Sequence, residues 1–258
     1  SKVKGEAMKL STGVIQLGLA VALTLSSTLT MAADKVLIVV TSHSQMGTTS
    51  EKTGYWLGEV THPYKELQDA GIAVDIASIA GGKAPVDERS LAEADTVNQW
   101  FMADSKHNMK LQQTLKLADL KASDYKAVLF AGGHGTMWDF PQNKVIQQFA
   151  ANLYQSGGIV AAVCHGPAAL LNIKLADGSY LITGKQLTGF SNTEEAEVKL
   201  TKVVPFSLQD QLTQRGASYS AAANWQSKVV VDQRLVTGQN PQSAAAVGEA
   251  VAKLLTSK

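Results

Sequence analysis

The run Gly158-Ile-Val-Ala-Ala-Val-Cys-His-Gly-Pro-Ala-Ala-Leu-Leu171 constrains this chain most, because an apolar strand drives straight into its single cysteine and then into a glycine and a proline. Strand, sharp turn and helix in that order set a side chain above the carboxyl end of a sheet. Gly166 permits the tight backbone, and Pro167 suits a first helical turn. A helix starting there would aim its free N–H groups and positive dipole end at Cys164, favouring thiolate over thiol. With His165 beside it, Cys164 is a candidate nucleophile. The alternative for a lone cysteine is a buried packing residue at a strand end.

The 258 residues, 45% hydrophobic and 17% charged, suffice for one large α/β domain. Met8-Lys9, an apolar stretch from about Val14 to Leu25 and the small residues up to Ala33 read as a secretory signal peptide over residues 8–32. That stretch is short, and Gln16, Gly18 and Thr24 interrupt it, so it is a poor membrane span. The expectation is a periplasmic protein with no membrane anchor after cleavage. Residues 1–7 read as an over-extended start or a remnant of cloning, leaving 33–258 as a single domain. Loss of Lys2, Lys4, Lys9 and Glu6 with the leader turns the formal net charge from +1 to −1. No basic footprint for nucleic acid remains. One cysteine also excludes an intramolecular disulfide, even in an oxidising compartment.

Val36-Leu-Ile-Val-Val-Thr41 has the continuous apolar, β-branched character of a central parallel strand covered on both faces. A helical stretch around Glu59 to Ala70, closed by Gly71, leads to the strand Ala73 to Ala77 and makes a β-α-β unit. The segment Gly81 to Ser123 reads as a charged insertion or cap, helical around Leu91 to Met102 and outside the sheet. Ala127 to Ala131 is a strand entering Gly132-Gly-His-Gly135, and a helix near Asn143 to Gln155 leads to the strand carrying Cys164. Later elements are Gln186 to Gly189, a helix near Ser207 to Arg215, the strand pair Lys228 to Val231 and Leu235 to Gly238, and a helix from Ser243 to Leu255. This alternation predicts a doubly wound, mainly parallel α/β sheet with helices on both faces and reactive groups at the carboxyl ends of the strands.

Three loops at those ends carry chemistry: Glu59, the Gly132–Gly135 turn, and Cys164-His165. The glycines let backbone N–H groups approach a ligand, so Gly132 and Gly133, with the His165 N–H, are candidates for an oxyanion hole. His134 joins them as a candidate substrate-binding residue. The other reading is a turn that needs glycine for conformation alone. No Gly-x-Gly-x-x-Gly follows a strand and no loop ends in Gly-Lys-Ser/Thr, so no nucleotide cofactor is expected. The histidines at 43, 62, 107, 134 and 165 have no zinc-like spacing, so no metal is expected. His62 reads as a polar cap or core hydrogen bonder. Pocket width is assigned to Trp100 and Phe101 of the 81–123 segment and to Trp138 and Trp225, with core or dimer packing as the alternative.

Ala162-Val-Cys-His-Gly-Pro167, the Gly132–Gly135 turn, Gly54-Tyr-Trp-Leu-Gly-Glu59 with Pro63, Thr188 to Glu195 and Thr237 to Pro241 together resemble the ThiJ/PfpI superfamily, a class I glutamine amidotransferase-like group. More narrowly, the chain from about Lys35 to Leu255 resembles the glyoxalase III and heat-shock chaperone subfamily. The resemblance implies a flavodoxin-like fold, Cys164 as nucleophile, His165 as its imidazole and Glu59 as the carboxyl beside the thiol. It places the histidine-orienting acid within Asn192 to Glu195, where Glu195 fits the spacing better than Glu194. The implied activity is a glutathione-independent glyoxalase of the lactate dehydratase (hydro-lyase) class, taking a 2-oxoaldehyde such as methylglyoxal, plus water, to a 2-hydroxy acid. A homodimer is implied as well. A stress holdase and a PfpI-like amidase or protease are the other readings. No histidine follows His165, which argues against an amidotransferase needing a downstream His-x-Glu.

Overall fold

The computed structural model describes residues 1–3, 5, 34–92 and 94–257. The expected signal peptide over 8–32 and residues 4, 6 and 7 lie outside the described residues, and the compact unit is Ala33–Lys258. β1 (Lys35–Val40) is buried after its first residue because both of its faces are covered, which is why its sequence is continuously apolar. α1 (Leu57–Asp69) then leads to β2 (Ala73–Ser78), which pairs parallel to β1 with Ile38 opposite Ile76.

The 81–123 segment departs from the expectation of a pure cap. It holds α2 (Thr96–Ala103) and α3 (Ser105–Gln112), and then a two-residue strand, β3 (Leu115–Lys116), that pairs with β2 as a parallel edge of the main sheet. So short and exposed a strand leaves no alternation pattern to read. Charged residues of the segment are used as caps: the carboxylates of Asp95 and Asp104 accept the first backbone N–H groups of α2 and α3. Trp100 and Phe101 do not widen a pocket. They pack with Tyr64 of α1, whose ring meets that of Phe101 edge-on at 5.1 Å.

β4 (Ala127–Phe130), α4 (Thr136–Asp139), α5 (Lys144–Gln155) and β5 (Ile159–Val163) follow, with β4 and β5 wholly buried. β6 (Gln186–Leu187), α6 (Asn192–Glu197), α7 (Leu208–Gln214) and β7 (Ser218–Tyr219) come next. The expected strand after Gln186 forms, but pairs with β7 in a separate two-stranded ribbon. β8 (Val229–Asp232), β9 (Leu235–Gly238) and α8 (Ala244–Thr256) complete the chain.

The seven-stranded sheet has the order β3-β2-β1-β4-β5-β9-β8, parallel except for β8, which runs antiparallel to β9. The doubly wound, flavodoxin-like expectation is met. The steps β1 to β2 and β4 to β5 run in opposite directions along the sheet, so right-handed crossovers put α1 and α5 on opposite faces. Between β1 and β4 the order reverses, and the loops leaving their carboxyl ends part to open a crevice.

Candidate active site

Cys164 is the first residue beyond β5 and has φ 62°, a left-handed conformation costing a non-glycine residue about 1–3 kcal/mol. Its N–H donates to Gly238 O and its carbonyl accepts from Phe190 N, both at 2.9 Å, so chain on either side holds it there. Gly166 is required by space, since a Cβ there would run into the Phe130 carbonyl oxygen. The expected helix is a five-residue 3-10 turn, Gly166–Leu170. The expected thiolate is not what the site favours: burial, then the facing Glu59 carboxyl, pushes the Cys164 thiol well up. Deprotonation therefore falls to a neighbouring base.

The candidate within reach is His165, whose Nδ1 lies 3.5 Å from Sγ while its Nε2 lies 2.6 Å from Glu195 Oε2. The other carboxylate oxygen, Oε1, lies 2.6 Å from His134 Nε2. Tautomers follow from the next contact outward, Arg89 Nη2 at 3.3 Å from His134 Nδ1. A guanidinium only donates, so Nδ1 accepts, and the His134 proton sits on Nε2 and is donated to Glu195. Burial pushes the Glu195 carboxyl up, but His165 and His134 override it and hold it well below the usual carboxylate range. An ionised Glu195 takes the Nε2–H of His165, which turns the bare Nδ1 toward the thiol. Burial, then the neighbouring His165, pushes His134 down to about 4, so it is neutral at ordinary pH.

Glu59, in the first turn of α1, is completely buried. Its Oε2 accepts the Gly132 N–H at 2.6 Å, and its Oε1 has no hydrogen-bond partner of normal geometry. Burial raises its pKa to about 8 against the smaller opposing pulls of the Cys164 thiol and the Gly132 N–H, so at neutral pH it is a carboxylic acid beside the nucleophile. This commitment corrects the expected part of Gly132 in an oxyanion hole: its N–H positions Glu59. The N–H groups of Gly133 and His165 donate to no acceptor among the described residues and are candidates to meet a developing charge. Gly133 must be glycine, with φ 105° and Trp56 N only 2.8 Å from where a Cβ would stand. Thr136 Oγ1 lies 2.9 Å from Gly133 O and 3.1 Å from His165 O, tying the two loops together.

Gly133, His134, Cys164 and His165 line a cavity of about 280 Å³ whose apolar walls are Trp56, Phe190, Trp225 and Pro241, while Glu59 and Glu195 are buried outside its lining. Larger surface grooves beside α5, about 560 and 430 Å³, contain no histidine, cysteine or acid. Trp225 reaches the cavity as expected, whereas Trp138 stacks on His43 at 5.1 Å. His62 bonds Asp95 at 2.7 Å, consistent with a polar hydrogen bonder. The choice within Asn192–Glu195 is decided by capping. Glu194 closes a capping box with Ser191 and accepts from Trp225 N, Gln239 and Asn240, leaving Glu195 to turn to the histidines. His134, His165 and Glu195 bring potential ligand atoms within 4.8 Å of one another, a grouping that histidine spacing concealed. As built, imidazole protons fill the space between them, and a metal would have to displace two of these. Sequence reading missed Phe190 as a wall and Arg89 with its partner Asp87. An Asp-x-Arg at a short helical start is too common on surfaces to mark a cavity.

A thiol raised on a strained strand end, served by a histidine and acids from separate loops of one sheet edge, places the chain among the cysteine-centred doubly wound α/β proteins. The DJ-1/PfpI family profile matches residues 52–254, and the chain belongs to that family. It is 35% identical over 229 residues to the glutathione-independent glyoxalase HSP31 of Saccharomyces cerevisiae, covering 83% of this chain and 94% of the relative. It is 32% identical over 227 residues to glyoxalase 3 of Candida albicans, covering 84% and 96%. Among solved structures, the Rapid Encystment Protein 24 kDa of Francisella tularensis superposes with a TM-score of 0.84 at 47% identity, covering 86% of this chain and 99% of that one. Candida albicans glyoxalase III superposes with a TM-score of 0.79 at 32% identity, covering 84% and 95%.

Proposed function

We propose that this protein is a glutathione-independent glyoxalase converting a 2-oxoaldehyde such as methylglyoxal, plus water, into a 2-hydroxycarboxylate, a lyase of the lactate dehydratase class. The observation that carries the reading is a cavity lined by the Cys164 thiol and the His165 imidazole, with the neutral Glu59 carboxyl buried against the thiol. Relatives named as glutathione-independent glyoxalases support the substrate class. In this scheme His165 Nδ1 takes the Cys164 proton as sulfur bonds to the aldehyde carbon. The new alkoxide, met by the Gly133 and His165 N–H groups, receives that proton, giving a hemithioacetal. The internal thiol replaces glutathione. Glu59, as the acid, gives its proton to the neighbouring carbonyl oxygen and, now a carboxylate, takes the proton from the old aldehyde carbon to leave an enediol. It then delivers that proton to the neighbouring carbon as it takes the proton of the first hydroxyl, giving the thioester and restoring the acid. A pKa near neutrality suits a group that must both give and take a proton. Water activated by His165 cleaves the resulting thioester, releasing the carboxylate and restoring the thiol.

The test is enantiomer-resolved lactate formation from methylglyoxal without glutathione, comparing wild type with Cys164→Ala and Glu59→Gln. Lactate from wild type and from neither variant supports the assignment. None from wild type with a reduced thiol sinks it for this substrate. The sequence further supports export: residues 8–32 as a cleaved leader and a periplasmic protein starting near residue 33, tested by N-terminal sequencing after expression with the leader in a Gram-negative host. The homodimer implied by the resemblance is tested by sedimentation.

A further inference from the structure

Arg89 is the one permanently charged side chain among the described residues lining the catalytic cavity. Its Nε donates to Asp87 Oδ1 at 3.0 Å and its Nη2 to Asp87 Oδ2 at 2.6 Å, with Nη2 also reaching His134 Nδ1 at 3.3 Å. Asp87 is 1% exposed and anchored by Thr53 Oγ1 at 2.9 Å. The guanidinium carbon stands 5.7 Å from the centre of the Trp56 ring, which forms the adjoining wall. Two walls of the site thus fix the guanidinium before any ligand arrives, so little side-chain entropy is left to lose on binding. Its remaining terminal nitrogen, Nη1, makes no hydrogen bond among the described residues, and the side chain keeps 43% exposure.

We infer that Arg89 is the carboxylate-binding residue of the cavity, using Nη1 to hold the anionic group of the 2-hydroxycarboxylate and of other small carboxylates that enter. Without it, the nearest charge would be that of Glu195, buried against His134 and His165, which repels a product carboxylate. The nature of the product rests on the glyoxalase reading, whereas anion recognition by Arg89 does not. The inference also deepens substrate choice: an aldehyde carrying a carboxylate gains from Arg89 what a neutral one does not.

The experiment alkylates Cys164, the chain's only cysteine, with iodoacetate and with iodoacetamide, followed by mass spectrometry. Both reagents form the same S–C bond, expel iodide and release the thiol proton, so their rate ratio cancels differences in thiol ionisation and reports the cavity's preference for an anion. Arg89→Gln is expected to lower the iodoacetate-to-iodoacetamide ratio about fivefold, a modest value because the group is half-exposed and screened. Arg89→Lys keeps most of the preference. Lactate should slow alkylation of wild type more than lactamide does, and Arg89→Gln should lose that difference. A ratio in Arg89→Gln within twofold of wild type overturns the inference. Should that variant fail to fold around an unpaired Asp87, the pair Asp87→Asn with Arg89→Gln removes both charges and must show the same fall. Lactate formation by wild type is scored separately, so failure of the glyoxalase reading and failure of anion recognition are told apart.

Discussion

Glu59 and Glu195 are both buried carboxyls within reach of Cys164-His165, yet they hold opposite charge states. Glu59 receives one backbone N–H and is otherwise desolvated, so it is driven to about 8 and is neutral. Glu195 receives two imidazole N–H groups and is held ionised. The difference is in donors, not in burial, and it divides the labour: one side of the thiol stores a proton, while the other stores the charge that makes His165 a base.

The largest expected effect is loss of the group both acids serve: Cys164→Ala lowers lactate formation by at least about 10³-fold, to background. Exchanging charge on the ionised side comes next. Glu195→Gln removes the charge and turns one of the two acceptor oxygens into a donor, so His134 and His165 can no longer both donate to it, and lowers kcat by about 10²–10⁴-fold with little change in KM. Its neighbour sharpens the contrast. Glu194→Gln disturbs the contacts to Ser191, Trp225, Gln239 and Asn240, so it costs about 1–3 kcal/mol in urea unfolding while kcat changes far less than in Glu195→Gln.

On the neutral side, Glu59→Gln lowers kcat by about 10²–10⁴-fold. In wild type kcat/KM falls as pH rises through about 8, because an ionised Glu59 would set a carboxylate against a forming thiolate. That limb is absent from the residual activity of the variant. The smallest effect is on stability. The folded-state pKa of Glu59 lies above its unfolded value, so folding binds a proton there, and stability is lost as pH rises from about 4.5 to about 8. Thermal unfolding should show Glu59→Gln gaining on wild type across that window. No gain would mean the carboxyl is not neutral in the folded protein, and the comparison with Glu195 would collapse.

Most of this asymmetry was hidden in the chain as written. The strands at Val36, Ala127 and Ile159 were legible because uninterrupted apolar runs have few other fates, and the elbow was legible because Cys-His-Gly-Pro follows one of them. The family motifs pointed to Glu59, His134 and Glu195. The 81–123 segment was legible only in part: its strand is two residues long, and its arginine is read correctly only when the cavity wall is seen. Glu194 against Glu195 could have been argued further from Ser191, three residues before Glu194, the spacing of a capping box.

By itself the sequence determined the order of strands and helices, the sharp turn at Cys164 and the lone thiol, since hydrophobic runs and turn residues act over a few positions along the chain. Tertiary structure alone decided which groups carry protons. Glu59 finds the Gly132 N–H across 73 positions, His134 finds Arg89 across 45, and His165 finds Glu195 across 30. Desolvation and hydrogen-bond donors belong to the assembled site, so charge state could be read only once these distant loops had met at one edge of the sheet.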